Sequence, residues 1–228
     1  VGMKYMAKAG YDAQAAVELQ EIFVKLSEGR NPGFIEGLFA SHPPSQERVA
    51  KNRANAAKYP GGVRNKAQFQ RAMAQVNKDK KAYENYQKAQ KLASEKKYID
   101  AQNYVEQAIA QQPKENLFWE MKGQLLLQQK KDNEAVVALD RAIQANPQYF
   151  KPYVFRGIAY KQLGKNDMAE KDLLTSQRYL PTQIATYYLG EVALAKGDRA
   201  QATKYFQQAA QGGGEIGEAA KGQLGKLQ

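Results

Sequence analysis

The chain has 228 residues, of which 43% are hydrophobic and 25% are charged, and its formal net charge is +11. It contains no cysteine, which excludes disulfide bonds, thiolate zinc sites and cysteine nucleophiles. No stretch approaches the roughly 18 apolar residues that a membrane span needs. The sequence starts at Val1 within a helical pattern, so we interpret it as a piece of a longer protein.

Three helices are predicted in the first third of the chain. The first covers residues 11 to 28, where apolar residues recur at helical spacing. Its apolar side would contain Tyr11, Ala15, Leu19, Ile22, Phe23 and Leu26. The second runs from about Ser45 to Lys58 and ends at Pro60-Gly61-Gly62. The third covers residues 66 to 78.

Two segments of this region resemble a known enzyme family. The first is residues 1 to 12, VGMKYMAKAGYD, followed by Ala15-Ala16, and the second is residues 39 to 48, FASHPPSQER. Both are similar to the end of the catalytic domain of the Ste24-like zinc metallopeptidases. In that family, a similar G-x-x-Y-x-x-x-A-G-Y run follows the glutamate that binds zinc. The resemblance implies that residues 1 to 60 are the last helices of a metallopeptidase domain.

The chain departs from this family at the catalytic residues. It has no H-E-x-x-H segment, and it begins after the position of the glutamate ligand. His42 is the only histidine, and one imidazole cannot hold a catalytic zinc ion, which takes three protein ligands. The fragment is therefore expected to be inactive and to hold no cofactor, while its parent would bind zinc. In that parent His42 would either approach the metal or the substrate, or stack between Phe39 and Pro43 with a structural role.

A basic segment without any acidic residue extends from Arg48 to Lys78. Its cations are Arg48, Lys51, Arg53, Lys58, Arg64, Lys66, Arg71 and Lys78. Such a segment could bind phosphate, anionic lipid or an acidic protein. Because only Tyr59 and Phe69 could stack on bases, nucleic acid is a weak alternative. We interpret the segment as a solvated helix face, with residues 61 to 81 as a helical linker.

From about residue 82 the sequence repeats. Pro113, Pro147 and Pro181 lie 34 residues apart, and similar residue types recur at the same places between them. The eighth place of each unit holds Ala89, Gly123, Gly157 and Gly190, and the twentieth holds Ala101, Ala135, Ala169 and Ala202. These small residues would let two helices of one unit approach closely, and each proline would stop the second helix. The period is that of the tetratricopeptide repeat, so the chain is predicted to be an all-α solenoid with four repeats at residues 82 to 214.

A last helix is predicted after Gly212-Gly213-Gly214. Residues 215 to 228 place Ile216, Ala220, Leu224 and Leu227 on one face. We expect this helix to cap the final repeat, since an end repeat lacks a neighbour that would bury its apolar face.

Arrays of this type present a concave surface built from the first helix of each unit. The second, fifth, ninth and twelfth places of those helices are expected to project into it. They are Tyr83, Tyr86, Gln90, Leu117, Glu120, Gln124, Leu127, Lys151, Val154, Ile158, Lys161, Ile184, Tyr187 and Glu191. The ninth places lack the lysine and asparagine with which chaperone-binding members clamp a C-terminal carboxylate. We expect an extended or partly unfolded protein segment as the ligand, although any one of these side chains could simply pack.

Three functions remain open on the sequence. Several bacterial Ste24-like peptidases add C-terminal tetratricopeptide repeats and act in the periplasm on outer-membrane proteins. The combined resemblance therefore implies a periplasmic scaffold that recruits protein substrates or assembly machinery for outer-membrane quality control. The second function is a stand-alone repeat adaptor without an enzymatic parent. The third is binding of nucleic acid or anionic lipid by the basic segment, which would weaken steeply with salt.

Overall fold

The structure, a computed structural model, describes residues 2–28 and 45–227. It is all-α: the described residues form twelve helices, and their only bridge pairing joins Tyr11 and Val63. The chain divides into two compact units, Val1–Ala74 and Gln75–Gln228. The division falls inside the segment 61 to 81 that was predicted as a linker. Within the described residues, no helix combines the length and the apolar composition needed to cross a membrane.

The first unit contains three helices and the start of a fourth. They are α1 (Gly2–Lys8), α2 (Gln14–Glu28), α3 (Gln46–Ala56) and α4 (Lys66–Ser94), which contains the division between the units. The α3 helix begins at Ser45, whose hydroxyl accepts a hydrogen bond from the Arg48 backbone N–H and caps the first turn. The three predicted helices of this region are therefore confirmed, and the last of them continues into the first repeat.

The α2 helix packs by a different side from the predicted one. Val17 and Val24 of α2 and Ala13, which directly precedes it, are buried together with Val49 and Ala56 of α3. The larger apolar residues of the predicted side include Leu19, Ile22 and Leu26, and these three are 41–53% exposed. Small side chains at the contact allow α2 and α3 to approach, because only they leave room for a second helix at a short distance.

Acidic residues of the first unit pair with the basic segment. Arg64 binds Asp12 at 2.5 Å and Glu18 at 2.9 Å, and Arg53 binds Glu21 at 2.5 Å. The Arg64 hydrogen bond and the Gln14 backbone N–H lower the pKa of Asp12 from its ordinary value. These acids neutralise part of the charge that phosphate or lipid would use, which supports the interpretation as a solvated face.

The second unit is a series of helix pairs. After α4 come α5 (Tyr98–Gln111), α6 (Asn116–Gln128), α7 (Asp132–Ala145), α8 (Phe150–Gln162), α9 (Asn166–Tyr179), α10 (Gln183–Ala195), α11 (Arg199–Ala210) and α12 (Gly214–Leu227). The repeats are the end of α4 with α5, then α6 with α7, α8 with α9, and α10 with α11. The second helix of each of the first three repeats ends two residues before the repeat proline, as predicted.

Glycine at the eighth place of the last three repeats is required by the close contact between the two helices of each repeat. A Cβ atom on Gly123 would lie 2.5 Å from Leu139 Cγ, and one on Gly190 would lie 2.7 Å from Phe206 Cε1. Leu139 and Phe206 are fully buried, so neither can move away at low cost. The alanines of the twentieth place are also fully buried in all four repeats.

An unpredicted hydrogen bond recurs between consecutive repeats. Trp119 Nε1 donates to the Pro113 carbonyl at 2.8 Å, and the Tyr153 hydroxyl donates to the Pro147 carbonyl at 2.9 Å. The large residue at the fourth place therefore satisfies a carbonyl beyond the end of the preceding helix, where no intrahelical donor is present.

The last helix, α12, packs against the last repeat. Ala220 is fully buried, and Leu224 and Leu227 pack against the cluster that contains Phe206 and Ala209. The apolar face of α10 and α11 is thereby shielded from water.

The turn within each repeat needs a left-handed residue, and two repeats use lysine there. Lys96 and Lys130 have φ of 60° and 59°, and the equivalent residues of the later repeats are Gly164 and Gly197. A residue with a Cβ atom is strained in this region by roughly 1–2 kcal/mol.

Replacement of Lys96 by glycine removes this backbone strain and is therefore expected to stabilise the second unit. The gain should be at most about 1 kcal/mol, because the greater conformational freedom of glycine in the unfolded chain offsets part of the strain energy that is removed. The free energy of unfolding in urea measures the effect. Gly197→Lys is the matched reverse change and should destabilise. Equal stability of both variants and the native chain would contradict the strain argument.

Candidate functional site

A groove of about 580 Å³ runs across the first helices of successive repeats in the second unit. Its lining comes from all four repeats: Ala93, Tyr98, Met121, Gln124, Leu125, Leu127, Gln128, Lys130, Phe155, Ile158, Gln162, Ile184 and Tyr188. Most of these side chains are apolar, three are glutamines, and Lys130 is the one charged residue in this set. The glutamines and Lys130 contribute much of the exposed surface, so the groove offers both apolar and polar contacts, as binding sites commonly do.

The sixth place of the first helix forms the floor of this groove. It is occupied by Met121, Phe155 and Tyr188 in three consecutive repeats. This place was not among those predicted from the sequence. The sequence could have indicated it, because three repeats carry a large apolar residue at this place. The same type of residue at the same place of successive repeats indicates the same environment.

Two exposed amides line the groove at equivalent places. Gln128 and Gln162 lie 34 residues apart at the ends of α6 and α8. A glutamine amide offers two N–H donors and a carbonyl acceptor, so each can bind both polar groups of a peptide backbone. These residues were also absent from the predicted set.

The structure brings four of the predicted groove residues into this lining. They are Gln124, Leu127, Ile158 and Ile184.

The other predicted positions at both ends of the array lie outside the lining and mostly pack. Tyr83 and Tyr86 each place their ring 5.2 Å from the ring of Phe118, and Leu117 joins the same cluster. Val154 is buried, Tyr187 packs against Phe206 at 5.6 Å, and Gln90 and Lys151 are exposed.

The remaining charged positions near the groove are engaged with one another. Lys161 binds Glu191 at 2.9 Å, and Gln223 of the capping helix donates to the same carboxylate at 2.8 Å. Glu120 is buried, and the Gln124 amide donates to it at 2.6 Å. These charges stabilise the array, and a ligand would have to displace a partner in order to use them.

Burial raises the pKa of Glu120 from its ordinary value. Nearby Lys151 and the hydrogen bonds from Gln124 and Tyr149 oppose this effect without cancelling it. A carboxyl group with a raised pKa binds more protons in the folded state than in the unfolded state. Its contribution to stability is therefore lost as the pH rises from its ordinary pKa through its folded pKa.

Glu120→Gln should stabilise the second unit at neutral pH and should remove this part of the pH dependence. A neutral amide keeps an acceptor for Gln124 and avoids the buried charge. The measurement is the free energy of unfolding of the variant and the native chain from about pH 4 to about pH 8. The gain in the free energy of unfolding of the variant over the native chain should grow with pH, and exposed Glu134→Gln is the surface control. An advantage that shrinks with pH would refute the argument.

His42 lies outside the described residues. Within the described part of the chain, no group of three or more histidine, cysteine, aspartate or glutamate side chains is arranged to hold a metal ion.

Comparison with known proteins identifies the repeats. Residues 86–150 and 156–216 match the family model described as tetratricopeptide repeat. None of the curated proteins matches the chain.

Several solved structures share the fold. The first repeat domain of Spaghetti (RPAP3) bound to the HSP90 peptide SRMEEVD is 24% identical, with a TM-score of 0.51; the match covers 52% of this chain and 95% of that chain. The repeat protein TTC0263 of Thermus thermophilus is 18% identical, with a TM-score of 0.57 and coverage of 79% and 93%. MamA from Desulfovibrio magneticus RS-1 is 17% identical, with a TM-score of 0.53 and coverage of 84% and 93%. These likenesses establish the fold.

Proposed function

The chain belongs to the tetratricopeptide repeat family, whose repeats form protein-binding scaffolds, and on this premise we propose that its groove holds an extended segment of another protein. The observation that carries the proposal is the floor of the groove, where Met121, Phe155 and Tyr188 occupy the same place in three consecutive repeats. A floor that repeats along the array matches a ligand that is itself a repeating chain of side chains and peptide groups. The HSP90 peptide held by the RPAP3 domain is an occupant of the same kind.

We further propose that this scaffold serves a bacterial periplasmic zinc metallopeptidase of the Ste24-like type. The support is the resemblance of residues 1–12 and 39–48 to the end of that catalytic domain. A second support is the exposure of the apolar residues Leu19, Ile22 and Leu26 of α2. A helix that belongs to a larger domain would expose an apolar face of this kind where the rest of that domain packs on it. In this proposal the parent binds zinc, and the repeats recruit outer-membrane proteins or their assembly machinery for quality control. Any role of His42 at the metal belongs to the parent enzyme.

A stand-alone adaptor is the second candidate. It is favoured by the family match, which covers the repeats at residues 86–150 and 156–216.

Site-specific photo-crosslinking tests the binding role in the full-length protein. Benzoylphenylalanine at Gln162, in the groove, should form adducts with bound protein in the cells that produce it. The same group at exposed Lys171, on the second helix of the same repeat, is the matched control. Adducts that are equally abundant at both positions, or absent from Gln162, would refute the groove as the binding site.

The reading frame upstream of Val1 separates the two candidates. An H-E-x-x-H segment there, with zinc-dependent cleavage of unfolded protein by the full-length enzyme, supports the peptidase. Its absence from the upstream sequence would leave the adaptor.

A further inference from the structure

We propose that the groove selects an extended segment with about six apolar residues along its body, followed by an acidic side chain at the end near Lys130 and Lys96. This inference rests on the proposed function and specifies the ligand of the same groove. It follows from the length of the groove, the neutrality of its body and the charge at one end.

The length of the body follows from the spacing of the three helices that form it, and Ala93 and Tyr98 of the first repeat lie beyond it at the end near Lys96. The helices α6, α8 and α10 are the first helices of successive repeats, and each contacts the next. Packed helices lie about 8–10 Å apart, so three of them span about 16–20 Å. An extended chain advances about 3.3 Å per residue, which gives about five or six residues.

The body of the groove is uncharged, and most of the side chains that line it are apolar. Between Leu127 and Tyr188 its lining offers aliphatic and aromatic surface together with the amides of Gln128 and Gln162. The nearby charges of Lys161 and Glu191 are already paired with each other at 2.9 Å. A charged side chain in the body would lose water without gaining a partner, so the body selects apolar side chains.

One end of the groove is cationic. Lys130 belongs to its lining, and Lys96 holds the equivalent left-handed place one repeat earlier, between the lining residues Ala93 and Tyr98. None of the ion pairs among the described residues includes either lysine, whereas adjacent Lys97 binds its own neighbour Glu95 at 2.8 Å. The lining residues in the described part of the chain include no carboxylate. A carboxylate on the ligand is the complementary group for this end.

Three synthetic peptides of one length test this assignment by fluorescence anisotropy. The first is amidated at its C-terminus and carries six aliphatic or aromatic residues followed by two glutamates. The second replaces the glutamates by glutamines and is also amidated, and the third is the glutamine peptide with a free C-terminal carboxylate. The protein variants are Lys96→Gln with Lys130→Gln, and the matched control Lys171→Gln with Lys204→Gln on second helices.

The amidated glutamate peptide should bind the native chain about tenfold more tightly than the amidated glutamine peptide, and the Lys96→Gln, Lys130→Gln variant should abolish that difference. The control variant should retain it. Equal affinity of both amidated peptides would overturn the acidic end. If these peptides then fail to bind the Ile184→Gln variant, which changes the groove lining, the groove remains the binding site. The acidic end is also overturned if only the free carboxylate restores affinity, or if the control variant has an equal effect. Failure of all three peptides to bind would refute the inference and the groove together.

Discussion

Replacement of Arg156 by leucine is expected to lower the free energy of unfolding by about 3–5 kcal/mol. The guanidinium binds both oxygens of Asp172 at 2.6 and 2.8 Å and Asp140 at 2.5 Å. Asp172 has a side chain that is only 6% exposed, so removal of the arginine leaves a buried carboxylate without its partner. The three residues lie on α8, α9 and α7, and the change therefore also weakens the contact between the second and third repeats.

Urea denaturation of the native chain and the variant measures this loss. The double change Arg156→Leu with Asp172→Leu should recover much of it, because no unpaired charge remains buried. Lys196→Ala is the comparison at the surface, where Lys196 binds Asp167 at 2.8 Å and Glu170 at 2.7 Å, and it should lower the free energy of unfolding far less than Arg156→Leu does. If both single variants lose equally little, Asp172 is not held in the way described.

Replacement of Gly123 by alanine is expected to destabilise the second unit by about 1–3 kcal/mol. In an ordinary helix this change would add about 1 kcal/mol of stability. Here the added Cβ atom would lie 2.5 Å from Leu139 Cγ, and Leu139 is fully buried. The steric cost therefore reverses the sign of the helix preference.

Gly222 of the capping helix supplies the matched control. No atom lies within 4 Å of the place that its Cβ would take, so Gly222→Ala should be stabilising by about 1 kcal/mol. The free energy of unfolding of both variants shows whether the two signs are opposite. Stabilisation by Gly123→Ala would mean that the two helices of the repeat do not approach as described.

The fold could be predicted because its requirements are local and recur. Gly123, Gly157 and Gly190 each lie where the two helices of one repeat are too close for a Cβ atom. The same close contact recurs every 33 or 34 residues. Three repetitions make a chance pattern improbable, and each proline marks a helix end independently. The apolar side of α2 that helical spacing indicates is not the side that packs on α3, because Leu19 and Ile22 are exposed while Val17 and Val24 are buried.

The groove could be predicted only in part. Places five and six differ by about 100° around a helix axis, and both satisfy a helical pattern. Packing of the repeats turned place five inward, so that Glu120 and Val154 are buried, and left the sixth-place Phe155 and Tyr188 along the groove. The pairing of Lys161 with Glu191 was likewise invisible, because it joins residues of different repeats.

The amino-acid sequence by itself determined that the chain is a stack of paired helices, since the glycine, alanine and proline places obey contacts within one unit. Only the tertiary structure decided which side chains the groove presents and which charges are already satisfied. Those properties depend on the rotation between successive units, and no single repeat contains that information.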